Sequence, residues 1–158
     1  MAWPQMFADD FLVGERFPGN RVVLSTEAFK EFADLTGDAH PIHYDPEYAS
    51  RTAFKRPVAH GLLLTSLTAL GATELSRSLE ESMVALIHQS FDFLKPAFVG
   101  DIVESQFQCE AVEPSRQSEL CKVTFRVVLV NQQQDILIKG QHKYLLRNRP
   151  RPLDGSVS

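Results

Sequence analysis

Ala59-His60-Gly61-Leu62-Leu63-Leu64-Thr65-Ser66-Leu67-Thr68-Ala69-Leu70 is the stretch on which the fold turns. Its leucines, continued by Leu75 and Leu79, leave little polar surface on the first turns. The spacing therefore predicts a long helix from about Gly61 to Leu79 whose leading end is deeply buried. Four extended segments follow, at about Met83 to Leu94, Ile102 to Val112, Glu119 to Val130 and Gln134 to Leu146. Pro96, Gly100, Pro114 and Asn131 punctuate them. One buried helix followed by a run of strands is an α+β arrangement with an antiparallel sheet.

Working back from Ala59, Arg51 to Ala59 reads as an irregular connection containing Pro57. Before it, Asp45 is placed to cap a short helix that opens with Pro46 and runs through about Ser50. Further upstream, Val22-Val23-Leu24 reads as a strand. Ser25 or Thr26 then caps a helix carrying Phe29, Phe32, Ala33 and Leu35 at helical spacing, and Gly37 ends it.

Composition sets the outer bounds. The 158 residues fit one domain with a sizeable core, and the hydrophobic fraction of 44% and charged fraction of 23% are those of a globular protein. The formal net charge is -4 without a Lys/Arg block, which argues against nucleic acid as a partner. No apolar run is long enough for a membrane span, and the first ten residues lack the basic and apolar regions of a signal peptide. Alternation puts Cys109 on a face with Val103, Phe107 and Ala111, and Cys121 with Val123, Phe125, Val127 and Leu129. Both read as small core residues, not a disulfide pair, which points to the cytoplasm. Residues 1–146 are expected to form one domain, with Arg147 to Ser158 a flexible, Pro-containing tail.

Chemistry concentrates in Thr36-Gly37-Asp38-Ala39-His40-Pro41-Ile42-His43-Tyr44-Asp45. Pro41 prevents an ordinary helix from running through both Asp38 and His43, so the two lie on a turn where side chains can converge. A carboxylate and an imidazole that share one water can remove a proton and deliver one, as addition of water to a polarised carbonyl compound requires. Taken alone, Gly37-Asp38 is the ordinary stop of a helix and His43 a loop histidine. Gly61 heads the leucine-rich helix, where backbone amides point outward and a missing Cβ lets a carbonyl come close. It equally permits a tight join between loop and helix.

These residues carry a family resemblance. Leu35-Thr36-Gly37-Asp38-x-x-Pro41-Ile42-His43, then Asp45, Tyr48-Ala49, Phe54 and Ala59-His60-Gly61, resembles the MaoC-like dehydratases, the (R)-specific enoyl-CoA hydratases. Phe93-Leu94-Lys95-Pro96-Ala97-Phe98-Val99-Gly100-Asp101 and Phe11-Leu12-Val13-Gly14-Glu15-Arg16-Phe17 are similar to the family's strand connection and entry, so the likeness runs from about Phe11 to Leu146. It implies a hot-dog fold, an antiparallel sheet wrapped around a long central helix. It also implies hydration of a trans-2-enoyl-CoA, or related carrier thioester, to a (3R)-3-hydroxyacyl thioester.

On that resemblance Asp38 and His43 activate the water and the Gly61 amide receives the enolate oxygen. Coenzyme A enters as part of the substrate with no separate cofactor or metal, and the protein is a homodimer. His60 would brace the loop of Asp38 or touch the ligand, and Ser66 would turn its hydroxyl toward Asp38 or back onto its own helix. Phe54, Leu64 and Leu67 would line an acyl tunnel. Arg51, Lys55, Arg56 and Lys95 are the cations nearest the loop for coenzyme A phosphates. The family usually has Asn at the position of His40, whose imidazole could still brace the loop. Asp38, His40 and His43, with Asp45 or His60, are metal-ligand types, but not at the spacing of a zinc motif. Gly-x-Ser-x-Gly is absent, which removes that nucleophilic route. A hot-dog thioesterase, a non-catalytic acyl-thioester-binding subunit and a dehydratase for short, polar or branched acyl groups are the competing readings.

Overall fold

The computed structural model describes residues 3–116 and 119–151. Five strands, β1 (Arg16–Val23), β2 (Met83–Phe93), β3 (Ile102–Pro114), β4 (Leu120–Val130) and β5 (Ile136–Arg147), form one antiparallel sheet in the order β1-β3-β4-β5-β2. The helices between β1 and β2, α1 (Thr26–Thr36), α2 (Pro46–Ser50), α3 (Gly61–Ser66) and α4 (Glu74–Arg77), supply the second layer of an α+β, hot-dog architecture. Alternation places Val103, Phe107 and Cys109 of β3 and Val123, Phe125, Val127 and Leu129 of β4 in the core. Both cysteines are free and buried.

Local chemistry sets the helix ends as expected. Ser25 caps α1 by accepting from the Ala28 N–H, and Gly37, in the left-handed region at φ 76°, closes it with a bond to Ala33 O. Asp45 caps α2, accepting from the Glu47 and Tyr48 amides, with Pro46 at the first position. Phe29 is buried, whereas Leu35 is 85% exposed and does not belong to the packed face of α1.

The long helix expected from Gly61 to Leu79 is instead three short pieces: α3, a 3-10 turn at Leu70–Ala72, and α4. The reason lies in the hydroxyls between the leucines. Thr65 Oγ1, Ser66 Oγ and Thr68 Oγ1 each donate to a carbonyl of the preceding turn, at Leu62, Leu63 and Thr65. Such back-bonding competes with the helical ladder, and Thr73 then adopts an extended conformation at φ -105° and ψ 158°. Leu63, Leu64, Leu70, Leu75 and Leu79 are still buried, while Leu62 is exposed.

Part of the expected tail, residues 147–151, is described. Arg147 ends β5, and the Arg149 guanidinium lies over the Phe7 ring and pairs with Asp10 at 2.5 Å. Residues 152–158 lie outside the described part of the chain. No helix among the described residues is long and apolar enough to cross a membrane.

Candidate active site

Asp38 stands directly after the Gly37 stop of α1, its N–H bonded to Thr36 Oγ1 at 3.2 Å. Its Oδ1 accepts from the His40 N–H at 3.2 Å, and the Tyr44 hydroxyl donates to its main-chain carbonyl at 2.9 Å. From the start of α3, His60 Nε2 reaches Asp38 Oδ2 at 2.5 Å. The His60 bond and then the His40 amide hold the Asp38 carboxyl below its ordinary range, with the charges of the His60 and His43 rings adding and desolvation opposing. The Asp38 side chain is 42% exposed and that of His60 14%, so the carboxylate faces outward with the imidazole behind it.

The partners of each ring settle which nitrogen carries the proton. His60 Nδ1 accepts from the Leu62 N–H at 3.1 Å, so in neutral His60 the proton sits on Nε2 and is donated to Asp38. His43 is the reverse. Its Nδ1 lies 2.7 Å from the Val58 carbonyl, which can only accept, so in neutral His43 the proton sits on Nδ1 and the lone pair on Nε2. The Val58 N–H returns a bond to Ile42 O at 3.2 Å, which pins the short 3-10 turn Pro41–His43 to the loop before α3. The two rings lie 4.7 Å apart at a tilt of 38°, and Phe32 backs His60 at 4.9 Å.

The sequence-predicted residues therefore divide. Asp38, His43, His60 and Gly61 gather at one place, but the side-chain partner of Asp38 is His60, 22 residues away. His40 braces the loop: its Nδ1 accepts from Ile42 N at 3.2 Å and its ring packs on Tyr48. Ser66 turns away from Asp38 onto Leu63 O. Leu64 belongs to the core with Leu63, Leu129 and Ile138, and Phe54 is 39% exposed on the connection after α2. The space beside Gly61 is not open. A Cβ there would come 2.9 Å from Cε1 of Phe93, so the ring fills it. Of the first amides of α3, Leu62 N serves His60 Nδ1 and Leu64 N serves His60 O. No acceptor for Gly61 N is found among the described residues.

Among the cations, Lys95 pairs with Asp135 at 2.6 Å, Arg56 stacks on Phe98, and Arg51 lies 3.9 Å from Glu47. No group of three or more His, Cys, Asp or Glu side chains among the described residues is arranged to hold a metal ion. Tyr44, Val58 and Phe93 were not foreseen in these roles. A histidine immediately before a helix start, as in His40-Pro41 and His60-Gly61, was a readable capping signal.

Comparison with known proteins gives the same assignment. The MaoC-like domain family matches residues 12–131. An (R)-specific enoyl-CoA hydratase of Aeromonas caviae is 38% identical over 85 residues, 54% of this chain and 61% of that protein. The chain thus spans about three-fifths of the length of the curated relatives it matches first. The structure of a monoamine oxidase regulatory protein from Archaeoglobus is 26% identical, with a TM-score of 0.86 over 95% of this chain and 99% of that one. A Mycobacterium tuberculosis protein with a double hot-dog fold, 18% identical with a TM-score of 0.76, is matched over 97% of this chain and 47% of its own. The chain belongs to the MaoC-like domain family.

Proposed function

We propose that the chain reversibly hydrates a trans-2-enoyl thioester to a (3R)-3-hydroxyacyl thioester, with coenzyme A or a carrier protein bearing the acyl group. The observation that carries this reading is the pair of opposite tautomers. His43 presents an unprotonated Nε2, while His60 spends its proton on keeping Asp38 ionised and in place. A water between Asp38 and His43 then loses one proton to His43 Nε2 and gives a hydrogen bond to Asp38 with the other. Its oxygen forms the bond to Cβ, and the electron pair of the double bond moves to the thioester oxygen as an enolate. The Gly61 N–H receives that oxygen. The enolate collapses as the imidazolium of His43 returns the proton to Cα, so the balance is one water added across one double bond.

The substrate class is that of the Aeromonas relative. Arg51, Lys55, Arg56 and Lys95 are the cations near the loop for coenzyme A phosphates. We read residues 1–146 as one catalytic unit that works as a cytoplasmic homodimer, with no cofactor beyond the carrier. The dimer is supported by edge strand β2, which exposes Leu86, Ile87 and Phe93 at 47–57% and needs cover along its free edge. The test is crotonyl-CoA, with enoyl absorbance and free thiol followed together. Enoyl loss without thiol release supports the proposal. Thiol release from a saturated acyl-CoA would replace it with a thioesterase.

A further inference from the structure

A second polar cluster lies in the core, away from Asp38. His142 on β5 is 1% exposed. Its Nδ1 is 2.9 Å from the Tyr144 hydroxyl, and its Nε2 is 2.9 Å from the Gln89 side-chain amide and 3.3 Å from Thr68 Oγ1. Burial pushes His142 down to about 4 and Tyr144 up to about 12, so both are neutral in the folded chain near pH 7. Polar groups as deep as His142, Thr68 and Tyr144 are costly unless each is used, whereas Gln89 on β2 is exposed.

The cluster forms one wall of a cavity of about 690 Å³, whose other wall includes Thr65, Ser66 and Leu70. None of Asp38, His43, His60 and Gly61 lines the cavity, but two elements run from the reacting centre to it. Gly61 and Ser66 are the two ends of α3, about 9 Å long. On β2, Phe93, Phe91 and Gln89 share a face by alternation, running about 13 Å from the ring on Gly61 to the amide on His142.

Hydrogen-bond accounting shows what the wall offers. The single proton of Thr68 Oγ1 goes to Thr65 O at 2.6 Å, so toward His142 the hydroxyl can only accept. Gln89 Nε2 stands 2.9 Å from His142 Nε2; with Thr68 unable to donate, His142 Nε2 is assigned the proton, the Gln89 amide is assigned turned so that Oε1 faces it, and Nδ1 then accepts from the Tyr144 hydroxyl. What remains is a lone pair on the Tyr144 oxygen and the NH₂ of Gln89. That is one acceptor and one donor group, the complement of an alcohol. A ketone would use only the amide. A carboxylate would meet no Lys or Arg among the described lining residues, and it would meet Glu80.

Resting on the hydratase reading above, we propose that this cavity receives the far end of an acyl chain bearing a neutral hydroxyl group, which donates to Tyr144 and accepts from Gln89. Unsubstituted chains fit the apolar part of the cavity but leave both groups unpaired.

The test uses enoyl-CoA esters of increasing length, each with and without a hydroxyl on the terminal carbon, turned over by the wild type, Tyr144→Phe and Gln89→Leu. At the length that reaches the cavity, the hydroxylated ester should have the higher kcat/KM by about tenfold, and each variant should bring the ratio toward one. A wild-type ratio at or below one at every length, or a ratio that survives both substitutions, overturns the proposal. If no ester of either kind is hydrated, the hydratase reading has failed on its own. The cavity is then read by calorimetry with saturated acyl-CoA esters, with and without the hydroxyl. Tighter binding of the hydroxylated ester that Tyr144→Phe abolishes upholds the proposal, and equal binding overturns it.

Discussion

His60 Nε2 and Asp38 Oδ2 lie 2.5 Å apart across 22 residues of sequence, and this bond joins the end of α1 to the start of α3. The same imidazole caps α3 through Nδ1. One ring thus fixes the carboxylate, its ionisation and the first turn of the helix that heads the site.

Asp38→Asn is predicted to lower turnover of crotonyl-CoA by about 10²–10⁴-fold, because a neutral amide neither orients the water nor balances the imidazolium of His43. The far-ultraviolet circular dichroism should match the wild type. Turnover within a few-fold of normal would remove Asp38 from the mechanism.

His60→Ala separates positioning from chemistry. Loss of the cap should destabilise the fold by about 1 kcal/mol, read as a lower urea midpoint. Loss of the bond to Asp38 should raise that carboxyl toward its ordinary value of 3.8. Protonation would then begin at higher pH, which carbon-13 nuclear magnetic resonance of the Asp38 carboxyl reads directly. An unshifted Asp38 titration would show that His60 does not tune it.

Gly61→Ala is predicted to displace the Phe93 ring, since its Cβ would sit 2.9 Å from Cε1. Phe93 is 57% exposed and Cε1 is the far end of its ring, so the cost should fall below the about 1–3 kcal/mol of core overpacking. Phe93→Ala in the same chain should relieve it, giving a favourable coupling in a double-mutant cycle of denaturation midpoints. Additive effects would mean that the ring yields freely.

His142 makes stability depend on pH. Burial lowers it from 6.5 to about 4, so between those values the unfolded chain binds a proton that the folded chain refuses. Stability therefore rises with pH through that window. On acidification it falls, by about 3 kcal/mol once pH 4 is reached, and this group adds no further loss below that. His142→Gln, which cannot titrate, should flatten the dependence of the urea midpoint on pH between 6.5 and 4. An equally steep dependence in the variant would assign it to other groups.

What the sequence made legible was local. Ser25, Gly37, Asp45 and Pro46 act on amides a few residues away, so their capping roles could be read directly. Alternation likewise placed Val103, Phe107, Cys109 and the odd-numbered residues of β4 in the core. Burial of the leucines from Leu63 to Leu79 was legible too, but continuity of their helix was not, because Thr65, Ser66 and Thr68 bond back to the backbone. Leu35 has helical spacing and yet is 85% exposed. The choice of His60 over His43 as side-chain partner of Asp38, and the meeting of Gln89 with His142, depend on tertiary approach, which no local pattern encodes.

The most direct measurement is nuclear magnetic resonance of the product formed from crotonyl-CoA in D₂O. With Asp38 and His43 acting through one water on one side of the double bond, the new deuterium at Cα should lie on the same face as the hydroxyl. Deuterium on the opposite face would contradict a single water shared by Asp38 and His43.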